Sequence, residues 1–229
     1  MVGARQGWIE APYLRVPTPP LAEAGFQVAP TTDPRLSVHI VPGLMQSDPA
    51  DVMRGEETQI AGFLASRPDF DGMLCLPGTH TKWVRVQGGA ITQFRSHMTG
   101  ELFALLAQQS VLKHSVAADE LDMRVFRNTV NSVVKDSQAA LTQLFAIRAA
   151  DLLHGTPPSE SRAHLSALLI GAEVAAAATG GEVVLLGDPA LCELYSIALT
   201  EAGAKPVSVD AAEMTLAGLI AARSLLETL

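Results

Sequence analysis

Gly78-Thr79-His80-Thr81-Lys82 gathers two hydroxyls, an imidazole, an ammonium and a run of backbone amides into five residues. An apolar stretch, Leu74-Cys75-Leu76-Pro77, precedes them, and Trp83-Val84-Arg85-Val86 follows with alternating character. The pattern reads as strand, tight turn, strand. A glycine that lets backbone approach a ligand, followed by hydroxyls and a lysine, suits a polyanion such as a phosphate chain. The same residue types also build ordinary β-hairpin turns, so spacing alone leaves both readings open.

Three other groups could do chemistry. Arg54-Gly55-Glu56-Glu57 places a guanidinium beside two carboxylates. Arg54 could hold an anionic group, while Glu56 or Glu57 could serve as a general base or direct a metal. Acidic residues in the first turn of a helix also simply complement its dipole. Near the start of the chain, Arg5, Gln6 and Trp8 offer a guanidinium, an amide and an aromatic face, a set that suits a sugar acid or merely packs a surface loop. Gly187-Asp188 closes an apolar run at the point where α/β proteins bind nucleotides, the carboxyl end of a strand.

The elements that must position these groups follow from pattern. Ser37–Val41 reads as a strand stopped by Pro42-Gly43, and Gln87-Gly88-Gly89 turns the chain from the central hairpin into a further strand, 90–95. A helix is expected from Asp51, as its cap, to about Ala65. Another should follow Ser96 or Thr99 through Leu102, Leu105, Leu106 and Gln109. Residues 121–154 read as one helix whose stripe of Leu141, Leu144, Phe145, Leu152 and Leu153 belongs in a core, with Gly155 and two prolines ending it. A helix over 159–179 comes next. The last third alternates strand 183–186, turn 187–189, helix 190–202, strand 205–209 and helix 211–229.

Composition excludes some partners. At 229 residues, 48% hydrophobic, the chain can bury a sizeable core. A net charge of −8 argues against a nucleic-acid or anionic-membrane surface, which needs clustered Lys and Arg, but leaves room for a small anionic ligand in a local pocket. Cys75 and Cys192 form no Cys-x-x-Cys pair, and the histidines lack ligand spacing, so buried thiols in a reducing cytoplasm are expected and no zinc site is. Neither a Gly-x-Gly-x-x-Gly nor a Gly-x-x-x-x-Gly-Lys-Ser/Thr motif occurs, and no Gly-x-Ser-x-Gly supports an α/β-hydrolase.

Taken in order, Met53-Arg54-Gly55-Glu56-Glu57-Thr58-Gln59, Pro77 to Trp83, Thr99-Gly100-Glu101-Leu102 and Leu168 to Glu173 resemble the 2-dehydro-3-deoxygalactonokinase family. So do Gly3 to Trp8 with Ala11-Pro12-Tyr13, and Leu186 to Leu191 running on through Tyr195 and Ala198-Leu199. The resemblance implies an α/β, ribonuclease-H-like, two-lobed fold of the sugar-kinase/actin type. It implies transfer of the γ-phosphoryl of ATP, with Mg²⁺, to the 6-hydroxyl of 2-dehydro-3-deoxy-D-galactonate during galactonate catabolism. Gly78, Thr79, His80, Thr81 and Lys82 match the second phosphate-binding hairpin, and Gly187 and Asp188 the adenosine-binding turn. Arg5, Gln6, Trp8 and Arg54 fall on the acceptor side, with Glu57, then Glu56, as base and Lys82 neutralising charge.

Family members begin with a strand and an Asp-x-Gly-Ser/Thr hairpin whose Asp directs the magnesium. Neither Asp-x-Gly-Ser nor Asp-x-Gly-Thr occurs in these 229 residues. The resemblance therefore predicts an incomplete first lobe, the remainder of it over 1–98, and a C-terminal lobe over 99–229. The exposed sheet edge this would leave favours a homodimer contact. A sugar-acid or nucleotide-binding protein without turnover is the alternative.

Overall fold

The computed structural model describes residue 3 and residues 7–178 and 180–227. The architecture is mixed α/β. Three short strands, β1 (Tyr13–Arg15), β2 (Gln27–Ala29) and β3 (Val38–Ile40), precede the hairpin β4 (Gly43–Ser47)–β5 (Ala50–Met53). Helix α1 (Glu56–Ser66) leads to β6 (Gly72–Leu76), β7 (Thr81–Gln87) and β8 (Ala90–His97). A helical stretch follows: α2 (Thr99–Gln109), α3 (Met123–Lys135), α4 (Ala140–His154) and α5 (Pro158–Ala177). The chain closes with β9 (Gly181–Gly187), α6 (Pro189–Glu201), β10 (Ala204–Asp210) and α7 (Ala211–Leu226).

These elements group into two compact units. The first comprises Met1–Leu76, Lys82–Ser96 and Val209–Leu229, and the second Pro77–Thr81 and His97–Ser208. The hairpin turn groups with the second unit and the closing helix with the first.

In the first unit β1 runs parallel to β4, β4 pairs antiparallel with β5, and β2 pairs with β3. Strands β6 and β7 form the central hairpin, antiparallel from Gly72↔Val86 to Leu76↔Lys82, and β8 lies along the other edge of β7. The start of β7 is buried on both faces, with Thr81, Lys82, Trp83 and Val84 all hidden, where the sequence suggested simple alternation. Helix α1 packs on α7 through a glycine pair. A Cβ on Gly62 would stand 1.9 Å from the Met214 carbonyl oxygen, and one on Gly218 1.9 Å from that of Thr58. The two backbones touch.

The expected helix start at Asp51 is corrected here. Asp51 lies in β5, and α1 begins at Glu56 after Gly55, whose φ of 105° only glycine adopts readily. The glycine that looked awkward inside a helix is the junction between strand and helix. No side chain caps α1; instead Glu56 and Glu57 fold back to accept the amides of Arg54 and Gly55.

The second unit is built around α5, twenty residues long, with Leu165, Leu168 and Val174 fully buried. Gly171 lets α3 approach, for a Cβ there would lie 3.1 Å from Val133. The single helix expected over 121–154 is broken. Lys135 ends α3, Asp136 turns out of the helical region, and a short 3₁₀ turn leads into α4. The apolar stripe of α4 is also corrected. Its inward face is Ala140, Leu144 and Ile147, whereas Leu141, Phe145, Leu152 and Leu153 are exposed. A helix with apolar residues on two faces cannot be oriented from periodicity alone. No helix among the described residues is long and apolar enough to cross a membrane.

The glycine crossing makes a clear stability test. Gly62→Ala drives a methyl into backbone, a contact that flexible side chains cannot relieve, and is expected to cost about 3 kcal/mol, or roughly 6–12 °C in unfolding midpoint. A midpoint unchanged from wild type in a thermal melt would mean that α1 and α7 are not this close.

Candidate functional site: a phosphate-type turn and an acidic pocket

The turn between β6 and β7 is held from beneath. Gly78 has open space where a side chain would be, so its backbone is accessible to a ligand. Behind it Gly100 brings the first turn of α2 so close that a Cβ would lie 2.4 Å from the Gly78 carbonyl oxygen. The Glu101 amide donates to the Thr79 carbonyl at 3.0 Å, and the His80 ring meets the Glu101 carboxylate at 2.5 Å. Thr81 is fully buried, with its hydroxyl 2.9 Å from that of Tyr195. Tyr195 in turn donates to the buried Glu173 at 2.8 Å.

Beside this turn, in the same unit, lies a cavity of about 220 Å³ whose walls include Gly78, Gly100, Phe103, Arg162, Leu191 and Tyr195. The Arg162 guanidinium sits 4.9 Å over the Phe103 ring at its edge. Gly187 abuts Pro77, whose carbonyl oxygen would lie 3.2 Å from an added Cβ. Asp188 caps α6, accepting the amides of Ala190 and Leu191 at 3.0 and 3.2 Å. That role orders the start of the helix that carries the cavity residues Leu191 and Tyr195, and Asp188 itself is exposed. Cys192, one turn on, is buried, and burial together with Asp188 pushes its thiol up to about 11 despite the helix N-terminus.

The first unit holds a different chemistry. Glu57 is 1% exposed, with one carboxylate oxygen accepting the Gly55 amide at 2.6 Å and the other the Thr58 hydroxyl at 3.1 Å. Burial outweighs these bonds, with the charge of Glu56 adding to it, and pushes the carboxyl up to about 7. Arg54 stacks 4.3 Å over Tyr13 and donates through Nη2 to the Ala11 carbonyl at 2.8 Å. Its Nε and Nη1 are buried with no hydrogen-bond partner among the described residues. Arg54 and Glu57 line one cavity of about 290 Å³ with Trp8, His39, Ile40 and Leu219. Trp8 is half-exposed at its rim.

Lys82 is 5% exposed and donates to the Ser96 hydroxyl at 2.6 Å, with Glu56 4.0 Å away. Ser96 gives both its amide and its hydroxyl proton to Asp51, at 2.6 and 2.7 Å. The ammonium is therefore buried in an acidic setting.

The structure thus gathers Trp8, Arg54 and Glu57 at one pocket, links Glu56 to Lys82, and groups Gly78, Thr79, His80 and Thr81 with Gly187 and Asp188 in the other unit. Arg5 and Gln6 lie outside the described residues. Sequence reasoning missed Asp51 and Ser96, taken for helix caps, and Tyr195 and Glu173, which sit on helices whose apolar neighbours dominated the pattern. Their polar side chains at buried helical positions were the available signal.

The chain matches the model of the 2-keto-3-deoxy-galactonokinase family over residues 1–222. It is 42% identical over 231 residues to a protein of Rhizobium meliloti (strain 1021) named as a 2-dehydro-3-deoxygalactonokinase, covering 97% of this chain and 75% of that protein. It is 40% identical over 177 residues to the 2-dehydro-3-deoxygalactonokinase of Escherichia coli (strain K12), covering 76% of this chain and 58% of that protein. A crystal structure of a protein from Sinorhizobium meliloti, described as a 2-dehydro-3-deoxygalactonokinase, superposes with a TM-score of 0.92 at 39% identity. That match covers all of this chain and 79% of the other. The chain belongs to the 2-keto-3-deoxy-galactonokinase family, a family of sugar-acid kinases.

The raised Glu57 carboxyl carries a stability signature. A folded-state value near 7 against an ordinary 4.5 means the fold favours the protonated form. That contribution is complete below about pH 4.5 and is lost as pH rises through 7, an effect on the order of 3 kcal/mol. Thermal melts from pH 5 to 8 should therefore show wild type losing ground to Glu57→Gln as pH rises. Parallel curves for the two proteins would show that Glu57 is not held protonated.

Proposed function

We propose that this chain takes part in ATP-dependent phosphorylation of 2-dehydro-3-deoxy-D-galactonate at its 6-hydroxyl, a cytoplasmic step of galactonate catabolism. The observation that carries the reading is the turn 78–81, whose open glycine and anchored backbone stand beside an apolar slot in one unit. Family membership and the relatives' names support the substrate. In this reading the fold is the ribonuclease-H-like, two-lobed sugar-kinase/actin type, supported by the likeness to the Sinorhizobium meliloti structure.

Each group then has a task. The amides of Gly78, Thr79 and His80 receive phosphate oxygens, and the cavity beside Phe103 and Leu191, at about 220 Å³, has room for a purine base. Gly187 and the Asp188 backbone flank the adenosine. On the acceptor side, Arg54 offers the guanidinium edge that has no partner among the described residues to the sugar-acid carboxylate, and Trp8 covers the ligand. Arg5 and Gln6 are assigned to the same side by resemblance. Glu57, with a carboxyl near 7, is the better placed of the two glutamates to take the hydroxyl proton at neutral pH, with Glu56 beside it. Lys82 supplies positive charge, and phosphoryl transfer rests mainly on such positioning and neutralisation.

Mg²⁺ usually enters such sites on the nucleotide phosphates with one or two carboxylates. Among the described residues no group of three His, Cys, Asp or Glu could hold a metal ion, so these residues offer no cage of their own there. When bound, the ion would neutralise phosphate charge.

A coupled ADP-release assay with ATP, Mg²⁺ and 2-dehydro-3-deoxygalactonate tests the proposal. Turnover that depends on the sugar acid is expected. Arg54→Met should raise the KM for the sugar acid about tenfold or more, the loss of one charge-assisted contact, while leaving that for ATP unchanged. Release of ADP indifferent to the sugar acid would exclude this acceptor.

A further inference from the structure

A turn that binds phosphate through backbone amides works only if those amides are fixed before the ligand arrives. One side of the turn 78–81 is fixed by α2, through the Glu101 amide on the Thr79 carbonyl. The other side ends at Thr81, whose side chain has no solvent exposure. Its hydroxyl meets Tyr195, and Tyr195 donates to the carboxylate of Glu173. A phenol has one proton. Having given it to Glu173, Tyr195 can only accept from Thr81, so the chain of donors runs Thr81 to Tyr195 to Glu173. The Thr81 proton is therefore committed inward, away from any phosphate.

Tyr195 has a second contact. Its ring helps to wall the cavity beside the turn while its hydroxyl holds the start of β7. Tyr195 lies on α6, which starts just after Gly187-Asp188, and Glu173 lies on α5. One buried side chain thus touches both the slot read as the base site and the anchor of the phosphate turn.

We propose that Tyr195 and Glu173 are positioning residues for nucleotide binding, holding the turn 78–81 through Thr81, which acts as an anchor rather than as a phosphate ligand. The proposal rests on the kinase reading of this turn, and its test separates the two. Mg²⁺-ADP binding is measured by calorimetry for wild type, Tyr195→Phe, Thr81→Val, Thr81→Ser and the Tyr195→Phe/Thr81→Val double variant. Both hydroxyl deletions should weaken ADP about tenfold, the double variant should be no weaker than either, and Thr81→Ser should restore binding. Additive losses, or ADP binding at wild-type strength in Tyr195→Phe, would overturn the proposal. If Tyr195→Phe does not fold, the Thr81→Val and Thr81→Ser pair decides by the same criterion of loss and rescue. Should wild type bind no ADP, the kinase reading fails. Hydrogen exchange at the amides of residues 78–81 then judges the anchor by itself, faster exchange in Thr81→Val supporting it and unchanged exchange refuting it.

Discussion

Two adjacent polar side chains, Thr81 and Lys82, are buried at the head of β7, and a buried donor without a partner costs several times what a formed hydrogen bond contributes. Much of the surrounding structure answers that constraint. Thr81 finds Tyr195 and Glu173, contributed by two helices of the second unit. Lys82 finds Ser96, which in turn engages Asp51, with Glu56 further off. Both networks end on acidic side chains, Glu173 in the one and Asp51 in the other.

The pocket around Glu57 follows a different logic. A carboxyl this buried prefers to be neutral, and the two hydrogen bonds it accepts do not offset the desolvation. Close by, the Arg54 guanidinium has two nitrogens without a partner among the described residues. A carboxyl raised to about 7 and this guanidinium line one apolar cavity, where a small anion would meet the cation in a setting drier than water. The arrangement costs stability at neutral pH. Sites that bind and react commonly carry such a local cost, which the rest of the fold offsets.

Backbone proximity is the third organising device. Gly62 with Gly218, Gly100 with Gly78, and Gly171 with Val133 each allow an approach that a methyl group would block. The first joins α1 to α7, so that residues more than 150 positions apart brace the helix on which Glu56 and Glu57 sit. The second seats α2 against the turn 78–81. Gly55 differs from these, for nothing lies near it and its positive φ alone explains the residue.

Local pattern was enough for the central hairpin, for strand β3, for the long helix α5 and for the alternating strands and helices from β9 to α7. Each of these has a one-faced or fully apolar signature with turn residues at its ends. The turn 78–81 and the Arg54-to-Glu57 cluster stood out by residue type, but spacing alone left the turn between a phosphate site and an ordinary hairpin, and the glutamates between a base and a helix-dipole role. Asp51 shows where this stopped. Its spacing before Glu56 suits a helix cap, yet it forms a strand whose carboxylate is claimed by Ser96, 45 residues away. The face of α4 that turns inward, the partner of Thr81 and the protonation of Glu57 were decided only by the tertiary structure. Each depends on which groups from distant parts of the chain exclude water from the same place, and desolvation is a property of the folded neighbourhood that no local window of sequence contains.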